Sequence, residues 1–242
     1  SQEIGDECLK TFSIDASHRG AWRFQVPTGQ GESIPLSILV EMQPHRNAVA
    51  LTFMRCAPGA GDGCLADRLP VQLILRPDIE FRNFHDTTKA YQGPENSWPK
   101  ATHTRNDGFV FAPENRPELR VRLPGGRFVW EPEWHYSVHR SLEAERGLDP
   151  NSDLFSPGYF SIFLPGDAQV TLTAATSGKP DEKAIPPPAA PPSETVGFDP
   201  VRALNRAMDH YIVGRGALKS VIAGYPWFLD WGRDSLIFVR GL

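Results

Sequence analysis

Short runs of apolar or alternating residues follow one another along most of the chain, separated by Pro, Gly, Asn and Asp. From about Phe12 to Ala175 the runs are evenly spaced, with turn signals such as Pro124-Gly125-Gly126 between them. This pattern is typical of antiparallel sandwiches, because βαβ units need helical stretches between their strands. The region is therefore predicted to be all-β. The clearest predicted strands are Ile34 to Met42, Ala48 to Arg55, Val71 to Leu75, Gly108 to Phe111, Leu119 to Leu123, Tyr159 to Leu164 and Ala168 to Thr173.

One stretch inside this region has helical spacing. Trp134, Val138 and Leu142 recur every four residues, which predicts a short helix from Pro132 to about Glu145.

The composition changes abruptly over residues 177–197, which contain six prolines among small and charged residues. Proline fixes φ and removes a hydrogen-bond donor, and the segment has almost nothing to bury, so we predict a semi-rigid linker. The predicted division is a β-sandwich domain over 1–176, this linker, and a helical segment over 198–242.

The helical segment begins with good start signals. Asp199 is a suitable N-cap and Pro200 a suitable first helical residue, and an apolar stripe follows. The stripe is formed by Val201, Leu204, Met208 and Tyr211 or Ile212, and we expect Gly214 and Gly216 to end the helix.

A loop through Tyr225-Pro226-Trp227 is predicted next, then a second apolar run from Leu236 to Val239. Two short helices are only marginally stable alone, because helix stability comes mainly from packing an apolar face. Either their partner helices lie outside this sequence or the two helices dock on the sandwich.

Composition and charge argue against nucleic acid and anionic membranes as binding partners. The chain has 242 residues and a net charge of −4 with mixed signs, which gives no basic surface for nucleic acid or an anionic membrane. It contains neither an apolar run long enough to span a bilayer nor a signal-peptide pattern. A neutral partner fits better.

The cysteine count bears on the compartment. Three cysteines, Cys8, Cys56 and Cys64, are an odd number, which favours reduced thiols and a cytoplasmic protein. Because the chain starts at Ser1 without Met, export remains open.

The densest chemical signal is the segment from Ala223 to Asp234, AGYPWFLDWGRD. Aromatic rings cover the C–H face of a pyranose, and carboxylates and Arg hold its vicinal hydroxyls, so this composition suits a sugar subsite. An aromatic corner tied down by an Arg–Asp pair is an equally good interpretation of the composition alone.

The same residues resemble a known family. The segment SVIAGYPWFLDWGRDSLIFVRGL, from Ser220 to Leu242, is similar to the opening motif of the catalytic domain in glycogen-debranching amylo-α-1,6-glucosidases, AGYPWF-x-DWGRD. Weaker similarity to the sandwich that precedes that domain lies in Trp134 to Phe160 and in Leu75 to His85.

This resemblance implies a mainly β chain: a large antiparallel β-sandwich, a Pro-rich linker and the first one or two helices of an (α/α)6 toroid. It also implies inverting hydrolysis of α-1,6-linked glucose at branch points, without a cofactor or metal. The implied partners are glycogen or a branched α-glucan and the remainder of the catalytic domain. The implied substrate-binding residues are Tyr225, Trp227, Asp230, Trp231, Arg233 and Asp234.

No catalytic carboxylate is assigned within the chain. Inverting hydrolysis needs two carboxyl groups on opposite sides of the scissile bond, about 6.5–9.5 Å apart. Asp230 and Asp234 are four residues apart on one turn, so we expect them on the same side of the sugar. In the family the acid and base are expected beyond Leu242, and the chain alone is expected to be inactive.

Three weaker patterns favour plain structural roles. Asp149 to Asp153 opens like a calcium loop, but Leu154 replaces the turn glycine and Phe160 the bidentate Glu. His135 and His139 have metal-ligand spacing without a third ligand. The alternating polar residues Arg76, Asp78, Glu80, Arg82 and His85 indicate a solvated strand face or domain seam rather than a substrate contact.

Two alternatives to a debranching glucosidase remain. One is a non-catalytic carbohydrate-binding or scaffolding sandwich on which the last 45 residues dock, counted from Phe198. The other is part of a related (α/α)6 glucosidase such as a glucoamylase.

Overall fold

A computed structural model describes residues 7–14, 19–43, 46–56, 63–83, 85–113, 117–177 and 200–241. Their contacts define two units. One comprises the described residues within 1–80 and 88–192, and the other those within 81–87 and 193–242. The predicted linker, apart from Ser177, and the predicted N-cap Asp199 lie outside the described residues.

The first unit contains eleven described strands, which confirms the prediction of a mainly β chain with a large antiparallel sheet. The strands are β1 Leu9–Ile14, β2 Gly20–Pro27, β3 Ser33–Met42, β4 Ala48–Arg55, β5 Val71–Leu75, β6 Thr102–Arg105, β7 Gly108–Phe111, β8 Glu118–Arg122, β9 Arg127–His139, β10 Asn151–Leu164 and β11 Gln169–Ser177.

Eight of these strands form one sheet in the order β1-β2-β3-β4-β11-β8-β7-β6, with every neighbouring pair antiparallel. β4 lies inside this sheet between β3 and β11, and all of its residues are buried or half-buried. The hydroxyls of Thr52 and Thr171, which face each other across β4 and β11, are 2.9 Å apart. A second sheet has the order β5-β10-β9.

Aromatic side chains fill the space between the two sheets. The ring of Phe109 on β7 lies 5.1 Å from that of Phe128 on β9 and 6.3 Å from that of Phe160 on β10, and all three are at most 7% exposed. Trp98 continues this core by contacting Phe111 and Trp134. Burying such rings is worth about 1.5–3 kcal/mol each, so these contacts hold the sheets together.

The helix predicted from Pro132 to Glu145 is wrong. β9 continues to His139 and pairs with β10, with Trp134 opposite Phe155 and Val138 opposite Ser152. A spacing of four fits the two-residue period of a strand as well as the helical period, and pairing with β10 decides between them. Of the predicted helix, only Ser141–Glu145 is helical.

Four α-helices occur among the described residues, together with a 3₁₀ turn at Ala90–Gln92. The α-helices are α1 Pro94–Ser97, α2 Ser141–Glu145, α3 Pro200–Asp209 and α4 Gly232–Gly241.

The second unit contains both predicted late helices, α3 and α4, but they are separated by a sheet that the sequence did not predict. Its strands are β12 Ile212–Arg215, β13 Leu218–Gly224 and β14 Phe228–Asp230. β12 and β13 form a hairpin, and Gly216 supplies the positive φ of its turn. Gly214 therefore lies in β12, and α3 has already ended at Asp209.

Candidate functional site

The segment from Ala223 to Asp234 spans the end of β13, a turn, β14 and the first turn of α4. The turn comprises Tyr225 to Trp227, and β13 pairs with β14 through Gly224 opposite Phe228 and Ile222 opposite Asp230. The six predicted site residues therefore lie within one strand–turn–strand–helix corner.

Aromatic rings form the exposed part of this corner. Tyr225 is 53% exposed and Trp231 is 55% exposed, while Trp227 is half-buried. The hydroxyl of Tyr225 donates to the carbonyl oxygen of His210 at 3.1 Å, and its ring lies 5.6 Å from that of Tyr211. Tyr225 is thereby held in place while its ring remains accessible.

Asp230 is held by two side chains from the β12–β13 hairpin. Ser220 Oγ donates to Asp230 Oδ2 at 2.7 Å, and the guanidinium of Arg215 forms an ion pair with Oδ1. The hydrogen bond from Ser220 and then the Arg215 guanidinium lower the pKa of Asp230 below its usual range. Asp230 is therefore an ionised carboxylate at neutral pH, with part of its acceptor capacity already used.

Asp234, on the first turn of α4, has a different environment. Its Oδ2 atom is buried and accepts no hydrogen bond within the described part of the chain. Arg233 Nη2 lies 3.5 Å from this oxygen, which is too long for a good hydrogen bond, and the Arg233 side chain is 76% exposed.

Asp234 also lines a pocket of about 340 Å³. The other walls are mostly apolar and come from α3, the short connection between α3 and β12, β13 and α4. They are Met208, Tyr211, Val221, Ile222, Ala223, Ile237 and Phe238. A buried carboxylate oxygen that accepts no hydrogen bond has unused acceptor capacity, which a hydroxyl entering this pocket could satisfy.

Four residues outside the motif hold its side chains in place, and none of them was predicted as a site residue. Ser220 and Arg215 hold Asp230, and Tyr211 and His210 hold Tyr225. Gly216 between two short apolar runs was a hairpin signal that would have placed Arg215 and Ser220 on neighbouring strands.

The calcium-like stretch is part of the sandwich structure. The Asp153 carboxylate accepts the backbone N–H groups of Ala90 and Ser137, each at 2.8 Å, and Asp149 forms an ion pair with Lys89 at 3.0 Å. Through these contacts, the two carboxylates hold the start of β10 to the 3₁₀ turn and to β9.

The two histidines lie on β9 rather than on a helix. His135 Nε2 is 3.7 Å from Asp78 Oδ1, and His139 Nδ1 is 3.3 Å from Asn151 Oδ1. Among the described ranges, no group of three or more His, Cys, Asp or Glu residues is placed to hold a metal ion.

The polar residues after β5 form ion pairs within the sandwich. Arg76 contacts Glu131 at 2.6 Å and Glu133 at 3.1 Å. Glu80 pairs with Arg140 at 2.5 Å. These ion pairs attach the segment after β5 to the neighbouring strand β9 and to Arg140, which directly follows β9.

Cys8, Cys56 and Cys64 are all unpaired thiols. None of the helices in the described ranges is long and apolar enough to cross a membrane.

Comparison with protein families decides the relationship. Residues 2–171 match the family described as glycogen debranching enzyme N terminal. The chain belongs to the glycogen debranching enzyme family. A second match, over residues 206–242, is to the family described as amylo-alpha-1,6-glucosidase, and this range contains all six predicted substrate-binding residues. No curated protein and no solved structure matches this chain significantly.

Proposed function

We propose that this chain supplies one wall of a glucose-binding subsite in a glucosidase that hydrolyses α-1,6-linked glucose at the branch points of glycogen. One observation carries the proposal. The exposed rings of Tyr225 and Trp231 lie in the same corner as Asp234, whose Oδ2 has no hydrogen-bond partner in the described chain, and this corner lies within the glucosidase match.

The corner has the chemistry that a pyranose requires. Exposed aromatic rings offer apolar faces to the C–H groups of the sugar, and the half-buried Trp227 adds a third ring to the corner. Asp234 accepts a sugar hydroxyl, and the exposed Arg233 guanidinium donates to an oxygen on the same side. Asp230 remains ionised beside them and fixes the β14 end of the wall.

Neither aspartate is proposed as the catalytic acid. A general acid must be protonated before it donates to the leaving oxygen, whereas the lowered pKa of Asp230 keeps that carboxyl ionised. Asp234 lies only four residues further along the same corner, whereas an inverting pair flanks the bond with about 6.5–9.5 Å between the carboxyls. We propose that the acid and base lie outside these 242 residues, so that the chain alone does not hydrolyse glycogen.

The proposal extends to the domain organisation, the partners and the location of the protein. We propose a sandwich domain over 1–176, a Pro-rich linker over 177–197 and the opening of an (α/α)6 toroid from 198. The partners are a branched α-glucan and the remainder of the catalytic domain. Three unpaired thiols support a cytoplasmic location, where disulfides are rare.

Steady-state kinetics of the protein encoded by the full reading frame tests the proposal. Glucose release from an α-1,6 limit dextrin is measured for the parent protein and for Trp231→Ala and Asp234→Asn, with maltose as the linear comparison. Each substitution is expected to lower kcat/KM by about 10–100-fold, the equivalent of one charged hydrogen bond or one stacking contact. Tyr91→Ala, which removes a ring that is 76% exposed in the sandwich, is the control and is expected to be silent.

The outcome separates the remaining functions. Unchanged kinetics in both variants contradicts a subsite at this corner. Efficient cleavage of maltose indicates a glucoamylase-like enzyme, and tight glucan binding without hydrolysis by the full protein indicates a binding module.

A further inference from the structure

A second pocket lies in the first unit, where the edges of its two sheets meet. The edge strands are β6 of the large sheet and β9 of the small sheet, and the N–H of Phe128 donates to the carbonyl oxygen of Asn106 across the junction at 2.8 Å. The pocket has a volume of about 550 Å³. We call it the seam pocket, and its polar and aromatic walls are Thr104, Arg105, Asn106, Arg127 and Trp130.

A β-bulge accompanies the exposure of Trp130. The register of β9 with β10 shifts between Ser156 and Gly158, and Gly158 lies opposite Trp130 with a φ of 144°. A Cβ atom at Gly158 would lie 2.1 Å from the carbonyl oxygen of Val129, so no other residue fits. Phe128 is 7% exposed whereas Trp130 is 41% exposed. Bulges commonly re-aim side chains at functional sites.

The guanidinium groups of the seam pocket differ from those nearby. Arg120 and Arg122 on β8 are paired with carboxylates, at 2.8 Å from Glu118 and 2.5 Å from Asp107. For Arg105 and Arg127, both exposed, the described part of the chain offers no side-chain hydrogen bond or ion pair.

The set of groups in the pocket is rich in donors. It contains two guanidinium groups, one amide and the hydroxyl of Thr104, and no carboxylate lines it. Neutral sugar hydroxyls are usually held by carboxylates as well as by donors, whereas a phosphate group is acceptor-only and is matched by paired arginines. The indole beside them supplies a flat apolar face for a ring.

We propose that the seam pocket binds a phosphorylated hexose, with the phosphate held by Arg105 and Arg127 and the pyranose ring against Trp130. The pocket volume is within the range of about 300–1,000 Å³ that holds small ligands. The phosphate monoester comes from a free hexose phosphate or from a phosphorylated unit of a glucan chain. The site is independent of the proposed glucose subsite, because all of its residues lie in the first unit.

Isothermal titration of the 242-residue chain tests this proposal. The ligands are glucose 6-phosphate, a maltooligosaccharide phosphorylated at one 6-hydroxyl, unphosphorylated glucose and maltoheptaose, and inorganic phosphate. At least one phosphorylated sugar is expected to bind about tenfold or more tightly than every unphosphorylated sugar and than phosphate alone. The phosphorylated ligand that binds more tightly shows whether the phosphate monoester comes from a free hexose phosphate or from a glucan chain.

Variants assign the binding to the seam pocket. Trp130→Ala and the double variant Arg105→Ala/Arg127→Ala are each expected to weaken binding at least about tenfold. Arg68→Ala, which removes another exposed charge from the same unit, is expected to leave it unchanged. If the double variant does not fold, binding is measured with Arg105→Ala alone. This residue is exposed on the edge strand β6.

The proposal is overturned if neither phosphorylated sugar binds more tightly than the unphosphorylated sugars, if inorganic phosphate binds as tightly as the phosphorylated sugars, or if none of the ligands binds. An equal loss in Arg68→Ala also overturns it, because the effect is then one of overall charge.

Discussion

Arg55 provides the sharpest test of how the sandwich is held together. It lies at the end of β4 and is 1% exposed. Its guanidinium donates to the backbone carbonyl oxygens of Leu69 at 2.5 Å and of Leu65 and Ala66 at 3.0 Å each, with a longer contact of 3.4 Å to Leu164. One side chain therefore satisfies acceptors from the connection before β5 and from the end of β10.

Arg55→Met keeps an apolar stem of similar reach but removes every one of these donors. A buried acceptor left without a partner costs about 1–3 kcal/mol, and the low end applies here because three of the four bonds are only partly buried. Three or four such losses predict destabilisation of about 3–5 kcal/mol. At about 2–4 °C per kcal/mol for a unit of this size, the melting temperature is expected to fall by roughly 6–20 °C.

Urea and thermal unfolding followed by circular dichroism measure this change. Arg68→Met, at an exposed position in the same connection, is the matched control and is expected to change stability by less than about 0.5 kcal/mol. A free energy of unfolding for Arg55→Met within about 1 kcal/mol of the parent value would show that the guanidinium does not hold these carbonyl groups. The carbonyl groups would then be satisfied by water rather than by the guanidinium.

Three further predictions concern the bulge and two titrating groups. Gly158→Ala is expected to destabilise the first unit by about 2–3 kcal/mol in urea unfolding, because its φ is positive and its Cβ would overlap backbone. Asp230 has a folded-state pKa below its unfolded value, so its stabilising contribution is complete above about pH 4 and is lost as the pH falls through the folded-state value. Ser220→Ala is expected to raise that pKa in an NMR titration, and an unchanged value would contradict the role of this hydrogen bond. The pKa of Tyr136 is raised above 10.0, mainly by its hydrogen bond to Glu95, so Glu95→Gln is expected to lower it in an ultraviolet titration.

Local pattern was a good guide to several strands, both inside a sheet, as for β4 and β7, and at its edge, as for β5. Ala48 to Arg55, Val71 to Leu75 and Gly108 to Phe111 were predicted with the bounds observed, because apolar runs between turn residues have few other uses in a sandwich. The pattern failed at Trp134 and Val138, where a spacing of four has two interpretations and only pairing with β10 decides.

In the candidate site too, some features follow from residue types and others only from strand pairing. The residue types in the segment from Tyr225 to Asp234 suited a sugar subsite and an aromatic corner equally well, and only the resemblance favoured the subsite. The engagement of Asp230 depends on the register of the β12–β13 hairpin, which brings Arg215 and Ser220 to it from 15 and 10 residues away. Register is set by pairing across the sheet, and single residue types do not determine it.

The anomeric form of the glucose released from an α-1,6 limit dextrin tests the central claim most directly. Proton NMR follows the reaction from its first minutes, with the 242-residue chain in one sample and the protein encoded by the full reading frame in another. We expect β-glucose as the first product of the full protein and no glucose from the 242-residue chain. Either α-glucose as the first product or glucose release by the 242-residue chain contradicts it, because the chemistry would then be retaining or the acid and base would lie among these residues.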